Sequence, residues 1–499
     1  MTNEPFFSAE ALGAGVEAMN RLGPRLTGSA GHNAFIRQLK QTVTDLGLPV
    51  YTDPYFFDRW EETGKGLVLH GETNETVHVS SAFPYSGETP PEGVTAPLTL
   101  VTEKHVGFLG ARDKIAVVNV DELDFLPSTL AFHIRRRYPE TAGIPEKYNG
   151  PVATSFVNFP FLQSAKTAGC KAVICIWRKM SDAMVEGQYL PFILPYQGIP
   201  ALWVNETDGA RVLLAAAEGR TATLTLTAER YPSAPTESFY TALPGSDPTE
   251  AVLVNTHTDG TNCIEENGPV AMLALLRALK DKPLRRTHIF LFATGHFRLP
   301  SFRSVAGGGV QATSKWLAAH PDLWDGKNGH KKAVACVSVE HLGAKMFKDT
   351  ENGYVQTGDV ETELVYTGNE TLDRVYYEAL EGRTKVNTVT LRGHNLLHFG
   401  EGQPPFNVGI PEISLVTAPD CLTVVSPSHE TEKFDADLMA EQTSTFYKIL
   451  TALEGLSAEE IGPCEGYSMV LPDGQPILLS RARKIVRRTL KKIEAITEE

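Results

Sequence analysis

The chain has 499 residues, 42% of them hydrophobic, which is more apolar text than one compact domain usually needs, so two domains or one with a large insertion are expected. Acidic residues outnumber basic ones 60 to 46 and the formal charge is -14, which argues against a polyanion-binding surface and therefore against nucleic acid as a partner. The opening MTNEPFFSAEALG has neither a basic n-region nor an apolar h-region, and no later stretch approaches the roughly 20 apolar residues of a membrane span, so a cytoplasmic protein is expected.

In chain order, the turn-rich Arg25-Leu-Thr-Gly-Ser-Ala-Gly-His32 leads into a predicted amphipathic helix over 33–48, where Phe35, Leu39, Val43 and Leu46 recur at helical spacing. Strand-like runs follow at 66–70 and 77–80, and the proline-rich Ser86-Gly-Glu-Thr-Pro-Pro-Glu-Gly93 marks a boundary near residue 94. Between 94 and 232 the pattern predicts strands at 114–119, 171–176, 198–204 and 221–226. A helix carries Ser164-Ala-Lys-Thr-Ala-Gly169 and another lies near 208–218. From residue 250 onward, strands at 251–256, 287–293, 333–339 and 412–416 alternate with helices at 269–280, near 310–319, near 372–380 and at 434–453. Continuous apolar strands alternating with helices predict a three-layer α/β domain with a mostly parallel mixed sheet. The tail at 481–496 has seven basic residues, with Val486, Leu490, Ile493 and Ile496 along one face. Such a helix suits a membrane surface; packing on the acidic body or on a second subunit is the blander reading and is preferred. Cys170, Cys175, Cys263, Cys336, Cys421 and Cys464 are scattered and suggest neither a disulfide framework nor a zinc ribbon.

Each strand of the second half ends in residues able to bind metal or move protons, and the carboxyl ends of strands are where an open α/β sheet builds sites. The strand at 251–256 delivers His257-Thr-Asp259, and the loop after it carries Glu265-Glu266-Asn-Gly268. The next two strands deliver Gly295-His296-Phe297 and Glu340-His341, and the strand at 412–416 is followed by Ser426-Pro-Ser-His429-Glu430-Thr431. Imidazole and carboxylate are the ligands of catalytic zinc, which takes three protein groups and leaves a position for water.

These elements resemble the superfamily of di-zinc aminopeptidases, glutamate carboxypeptidases, transferrin receptors and glutaminyl cyclases over roughly residues 20–455. The carrying features are His257-x-Asp259, an acid-Asn-Gly element opening a helix, and an apolar strand ending where that family has Glu-Glu. The segment 94–232 resembles the protease-associated domain that interrupts such peptidases and shapes access. The resemblance implies a peptidase-like domain of 1–93 and 233–455 around that insertion, with 456–499 as an extension. It also implies His257 as a ligand, Asp259 orienting it, Glu266 at the bridging acid and Glu340 at a further ligand. The family's base and the ligand after it fall on Gly295 and His296, and its last histidine ligand falls on Ser426.

With a base and a ligand missing, the economical expectation is one divalent ion, zinc, held by His257, Glu266 and Glu340. His296 and His429 are the expected proton carriers. Arg392, His394 and Ser426 are placed on the substrate side. His341, one residue after Glu340, should face away from any strand continuing there and is read as structural. The expected activity is hydrolysis of an amide or peptide-like bond in a small-molecule or peptide-like substrate, without the usual glutamate base. The alternatives are a non-hydrolytic metal-dependent cyclase or lyase, and an inactive binding scaffold.

Overall fold

The strand Arg286–Ala293 is buried at every position, as a strand covered on both faces must be. It pairs in parallel with Asp247–His257, which pairs in parallel with Lys332–Ser338, itself parallel to Glu412–Val416. The structure, a computed structural model, describes residues 7–104, 107–122, 130, 133–144, 150–298, 311–393 and 398–465. Beyond Glu412–Val416 the sheet continues through Glu363–Thr367, Thr388–Leu391 and Ile134–Tyr138, in mixed directions.

Helices cover this sheet on both faces, which gives the expected three layers. On one face Leu12 and Val16 of Ala9–Asn20, Phe35 and Leu39 of Ala30–Asp45, Leu276 of Gly268–Leu279 and Leu450 of Ala436–Gly455 share a core with Val252, Val254 and Phe290 of the strands. On the other, Trp316 and Leu317 of Thr313–Ala319 pack against Leu253, Ile289 and Leu291. Odd and even positions of each strand thus serve different helix layers, so few strand positions can be polar. The helix ends are set locally: Ser29 and Asp435 accept main-chain amides as N-caps of the second and last of these helices.

The segment from 94 onward builds its own sheet region, in the order Val94–Leu100, Ile115–Asp121, Ala172–Arg178 and Ala201–Val204, with Ser81–Ala82 from before the segment added at the edge. Its alternating residues feed two cores, Ile115 and Val117 on one side and Ala116 and Val118 on the other. It is joined to the body by the strand Thr221–Leu243, which pairs with Val94–Leu100, with Arg286–Ala293 and along most of its length with Tyr51–Leu69. The boundary expected at 232 therefore falls inside one continuous strand. The run expected at 66–70 is the end of the 19-residue strand Tyr51–Leu69, whose first part alternates little in polarity and gives no period-two signal. The hairpin Lys345–Thr350 with Gly353–Val360 was also not anticipated, being largely exposed.

None of the six cysteines forms a disulfide, and five of them are buried. Among the described residues no helix is long and apolar enough to cross a membrane. The basic segment 481–496 lies outside the described residues.

Candidate metal centre

Three parallel strands end at one place. His257 is the last residue of Asp247–His257, His296 lies three residues beyond Arg286–Ala293, and Glu340 and His341 lie two and three beyond Lys332–Ser338. Glu265 reaches them from the loop before the helix Gly268–Leu279. The rings of His257 and His296 stack, with centroids 4.1 Å apart and planes 13° apart.

Each imidazole is held by one nitrogen and has the other free. His257 Nδ1 donates to the Asp259 carbonyl at 2.8 Å, His341 Nδ1 donates to the Thr417 carbonyl at 2.8 Å, and His296 Nδ1 meets Glu401 Oε1 at 3.1 Å. Since a carbonyl only accepts, neutral His257 and His341 carry their lone pairs at Nε2. Those lone pairs face carboxylates: His257 Nε2 lies 3.4 Å from Glu340 Oε2, His341 Nε2 lies 3.8 Å from the same atom and 3.7 Å from Glu265 Oε1, and His296 Nε2 lies 3.6 Å from Glu265 Oε1.

The residues fit a divalent cation. His257 Nε2, His341 Nε2, Glu340 Oε2 and Glu265 Oε2 are all buried without a hydrogen-bond partner. Orphaned polar atoms are costly in an interior, and the three that converge, His257 Nε2, His341 Nε2 and Glu340 Oε2, call for a shared partner. Ligand atoms bound to a tetrahedral zinc lie roughly 3.3–3.6 Å apart, close to the separations seen here. Two groups of three meet the spacing of a metal site, His257 with Glu340 and His341, and His257 with Glu265 and His296. Gly260 and Gly400 leave the room: a Cβ on Gly400 would stand 2.0 Å from Glu340 Oε1, and one on Gly260 would stand 2.4 Å from Glu265 Oε2. With protons alone to balance the carboxylates, burial lowers the His257 pKa but Glu265 and Glu340 outweigh it and lift it to about 10. Glu340, which burial pushes up, is brought down to about 2 by the His257 imidazole 3.4 Å away and the field of His341. The potential of this pocket is that of a cation site.

Searches with protein-family models and against curated sequences find no match. Solved structures do match. A zinc aminopeptidase from Bacillus subtilis superposes with a TM-score of 0.59 at 16% identity, over 91% of this chain and 98% of that one. The aminopeptidase of an Aneurinibacillus species gives 0.57 at 15% identity, over 90% and 94% of the two chains. A peptidase M28 precursor from Shewanella amazonensis gives 0.58 at 15%, over 89% and 95%. The fold is that of the zinc aminopeptidases.

On this zinc-aminopeptidase scaffold the structure distributes the expected site residues unevenly. His257, Glu340 and His296 converge. Glu266 is fully buried beside them, but its Oε1 pairs with Arg25, and Glu265 holds the central position instead. Arg25 is fixed there by the carbonyls of Met19, Gly23 and Asn262, and burial lowers its pKa to about 9, which leaves it charged at neutral pH. The reading of His341 as a residue facing away is corrected. The strand has ended at Ser338 and His341 has a φ of 57°, so strand alternation does not govern it and its ring turns into the cluster.

Asp259 orients His257 through its main-chain carbonyl. Its carboxylate accepts the amides of Gly295 at 3.1 Å and Phe297 at 3.0 Å and the Thr27 hydroxyl at 2.5 Å, which ties down the turn that carries His296. Burial raises the pKa of Asp259, but His32, His257 and His296 bring it below the usual value. His32 accepts the Gly28 amide and meets Thr258, and burial pulls its own pKa down to about 4, so it stays neutral. Glu401, unnoticed as a site residue in the sequence, accepts the amides of Ala312 and Thr313 at the start of Thr313–Ala319 as well as His296.

His429 and Ser426 sit in a loop at the side. The Ser426 hydroxyl donates to Glu430 at 2.7 Å, and His429, whose buried Nδ1 has no partner, titrates lower through burial and the field of Arg25. Arg392 pairs by its amide with the His133 carbonyl. His394 lies outside the described residues. A cavity of about 170 Å³ opens on Glu265, His296 and His341, with Leu364, Phe399, Val416 and Leu422 of the body and Val152, Phe156 and Phe192 of the inserted segment in its walls.

Proposed function

We propose that the chain is a metal-dependent hydrolase of an amide or peptide-like bond, using one divalent ion, zinc, and no glutamate base. The observation that carries the reading is the convergence of unpartnered His257 Nε2, His341 Nε2 and Glu340 Oε2, beside a mostly apolar cavity on which Glu265, His296 and His341 open. A divalent ion bound there supplies a Lewis acid for a carbonyl and lowers the pKa of water toward neutrality. His257, Glu340 and His341 would hold it, with Glu265 beside them. His296 is left to move the proton at Nε2: its Nδ1 stays on Glu401, whose charge stabilises the imidazolium that forms. Asp259 keeps His296 within reach by holding the amides on either side of it.

Leu130, Ile144, Val152, Leu364, Val416 and Leu422 make the described cavity wall mostly apolar, which supports an apolar group beside the scissile carbonyl. The aminopeptidases that share the fold support a peptide-like substrate, and the walls from 152–192 support a role in access for the inserted segment. The test is metal analysis of the purified protein together with hydrolysis of leucyl and glycyl anilides, with and without chelator and in His257→Ala. About one metal per chain, and turnover that chelator and His257→Ala both abolish, is the expected result; turnover that survives chelator sinks the reading.

Gly295 favours a second reading. It stands where the resembled family has its base and adopts a φ of 106°, so it offers no group to activate water. A carbonyl polarised without such a base suits intramolecular attack or elimination. Oxygen-18 water separates the two, since only hydrolysis places the label in the product.

A further inference from the structure

We infer that a second pocket, formed by Arg298, Arg59 and Arg230 where the long strands meet the inserted segment, binds an organic carboxylate. The cavity has a volume of about 280 Å³, and its walls also contain Trp60, Tyr85 and Tyr196. Arg298 is 5% exposed. Its guanidinium carbon lies over the Tyr85 ring, 3.6 Å from the centroid, and Nη1 donates to the Leu194 carbonyl at 3.1 Å. The Nε edge is left over: Nε is buried without a partner, and no carboxylate among the described residues pairs with this arginine. The sequence that follows it, 299–310, contains no Asp or Glu. That edge of a guanidinium is the one that grips a carboxylate with two parallel hydrogen bonds.

The other two arginines repeat the arrangement at the rim. Arg59 lies over the Tyr231 ring at 4.1 Å with its Nε unpartnered, and Arg230 lies over the Tyr196 ring at 4.4 Å. Stacking on a ring fixes the guanidinium plane while leaving the edges for a ligand. The charge balance selects the class of anion. Asp58 in the wall, Glu61 2.9 Å from Arg59, and Glu88, which accepts from the Tyr196 hydroxyl at 2.8 Å, offset the three positive charges, which leaves no surplus for a phosphate dianion and favours a monoanion. The aromatic walls select a ligand whose carboxylate carries a planar or apolar group. The site is separate from the metal centre and does not depend on the hydrolase reading.

The test is titration calorimetry of the full chain with 3-phenylpropionate, its neutral amide and inorganic phosphate. The proposal expects the acid to bind at millimolar or lower concentration, the amide at least tenfold more weakly, and phosphate not to displace the acid. Arg298→Gln should weaken the acid tenfold or more and exposed Arg230→Gln about threefold, while His257→Ala leaves its affinity unchanged because the metal centre takes no part. If Arg298→Gln does not fold, Arg230→Gln decides. Equal binding of acid and amide, displacement by phosphate, no binding at all, wild-type affinity in the arginine variants, or loss of binding in His257→Ala would each overturn it.

Discussion

The Asp259 carboxylate accepts the main-chain amide of Phe297 at 3.0 Å, and through this bond one strand end positions the histidine of the next. Asp259 thereby acts on His296 as well as on His257. Removing it in Asp259→Ala should weaken zinc affinity about 10- to 100-fold, the usual effect of losing a support behind ligands. Competition with a chromogenic chelator measures this; unchanged affinity would show that the turn holds His296 without help.

Metal stoichiometry separates the ligands from the neighbours. His341→Ala and Glu340→Ala should lose the ion, while His296→Ala should keep it and lose turnover. Elemental analysis of the three variants reads the outcome. Loss of about half of the metal in His296→Ala would instead indicate two ions, and complete loss would make His296 a ligand of a single ion.

Glu266→Ala should act mainly on stability. It leaves the Arg25 charge buried and unpaired, which costs about 3–5 kcal/mol, whereas replacing both partners by apolar residues of similar volume should recover most of the loss. Denaturant titration of Glu266→Ala and of Arg25→Met with Glu266→Leu provides the comparison. A stable Glu266→Ala that binds no metal would return Glu266 to the ligand set.

Glu361 and Asp420 should each contribute stability that is lost as pH rises from about 4 to about 7. Burial lifts Glu361 to about 7, and burial with the fields of Glu361 and Asp349 lifts Asp420 to about 7 against Lys433 and Lys348. Unfolded carboxyls titrate near 4, so in this window the folded chain keeps protons that the unfolded chain has released, and rising pH favours unfolding. Asp420→Asn should flatten the slope. Denaturation midpoints of both proteins at pH 5, 6 and 7 check it, and parallel slopes would count against the assignment.

Substrate preference should follow the apolar cavity. Burying a leucine-sized group is worth about 1.5–3 kcal/mol, so a leucyl substrate should exceed a glycyl one by roughly 10- to 150-fold in kcat/KM. Phe192→Ala, which removes a wall against His296, should shrink that ratio. Equal rates on both substrates would mean that the cavity does not receive the substrate.

The strands Arg286–Ala293 and Glu412–Val416, the helices between them and the polar residues at their ends were legible because burial on both faces writes a continuous apolar run that stops where the site begins. The distinction between Glu265 and Glu266 was not legible. Both are acids in one loop, and which of them faces His257 depends on Arg25, 241 positions away from Glu266, taking the other. His341 was misread for a local reason, a left-handed residue just past a strand, which alternation does not foresee. Glu401 carried no signal of its own, since its role comes from meeting His296 and the start of Thr313–Ala319. The sequence alone determined the kinds of groups brought to the site and the layers that carry them, through periodicity along the chain. Only the tertiary structure decided which nitrogen and which oxygen face each other, because that depends on contacts between segments distant in sequence.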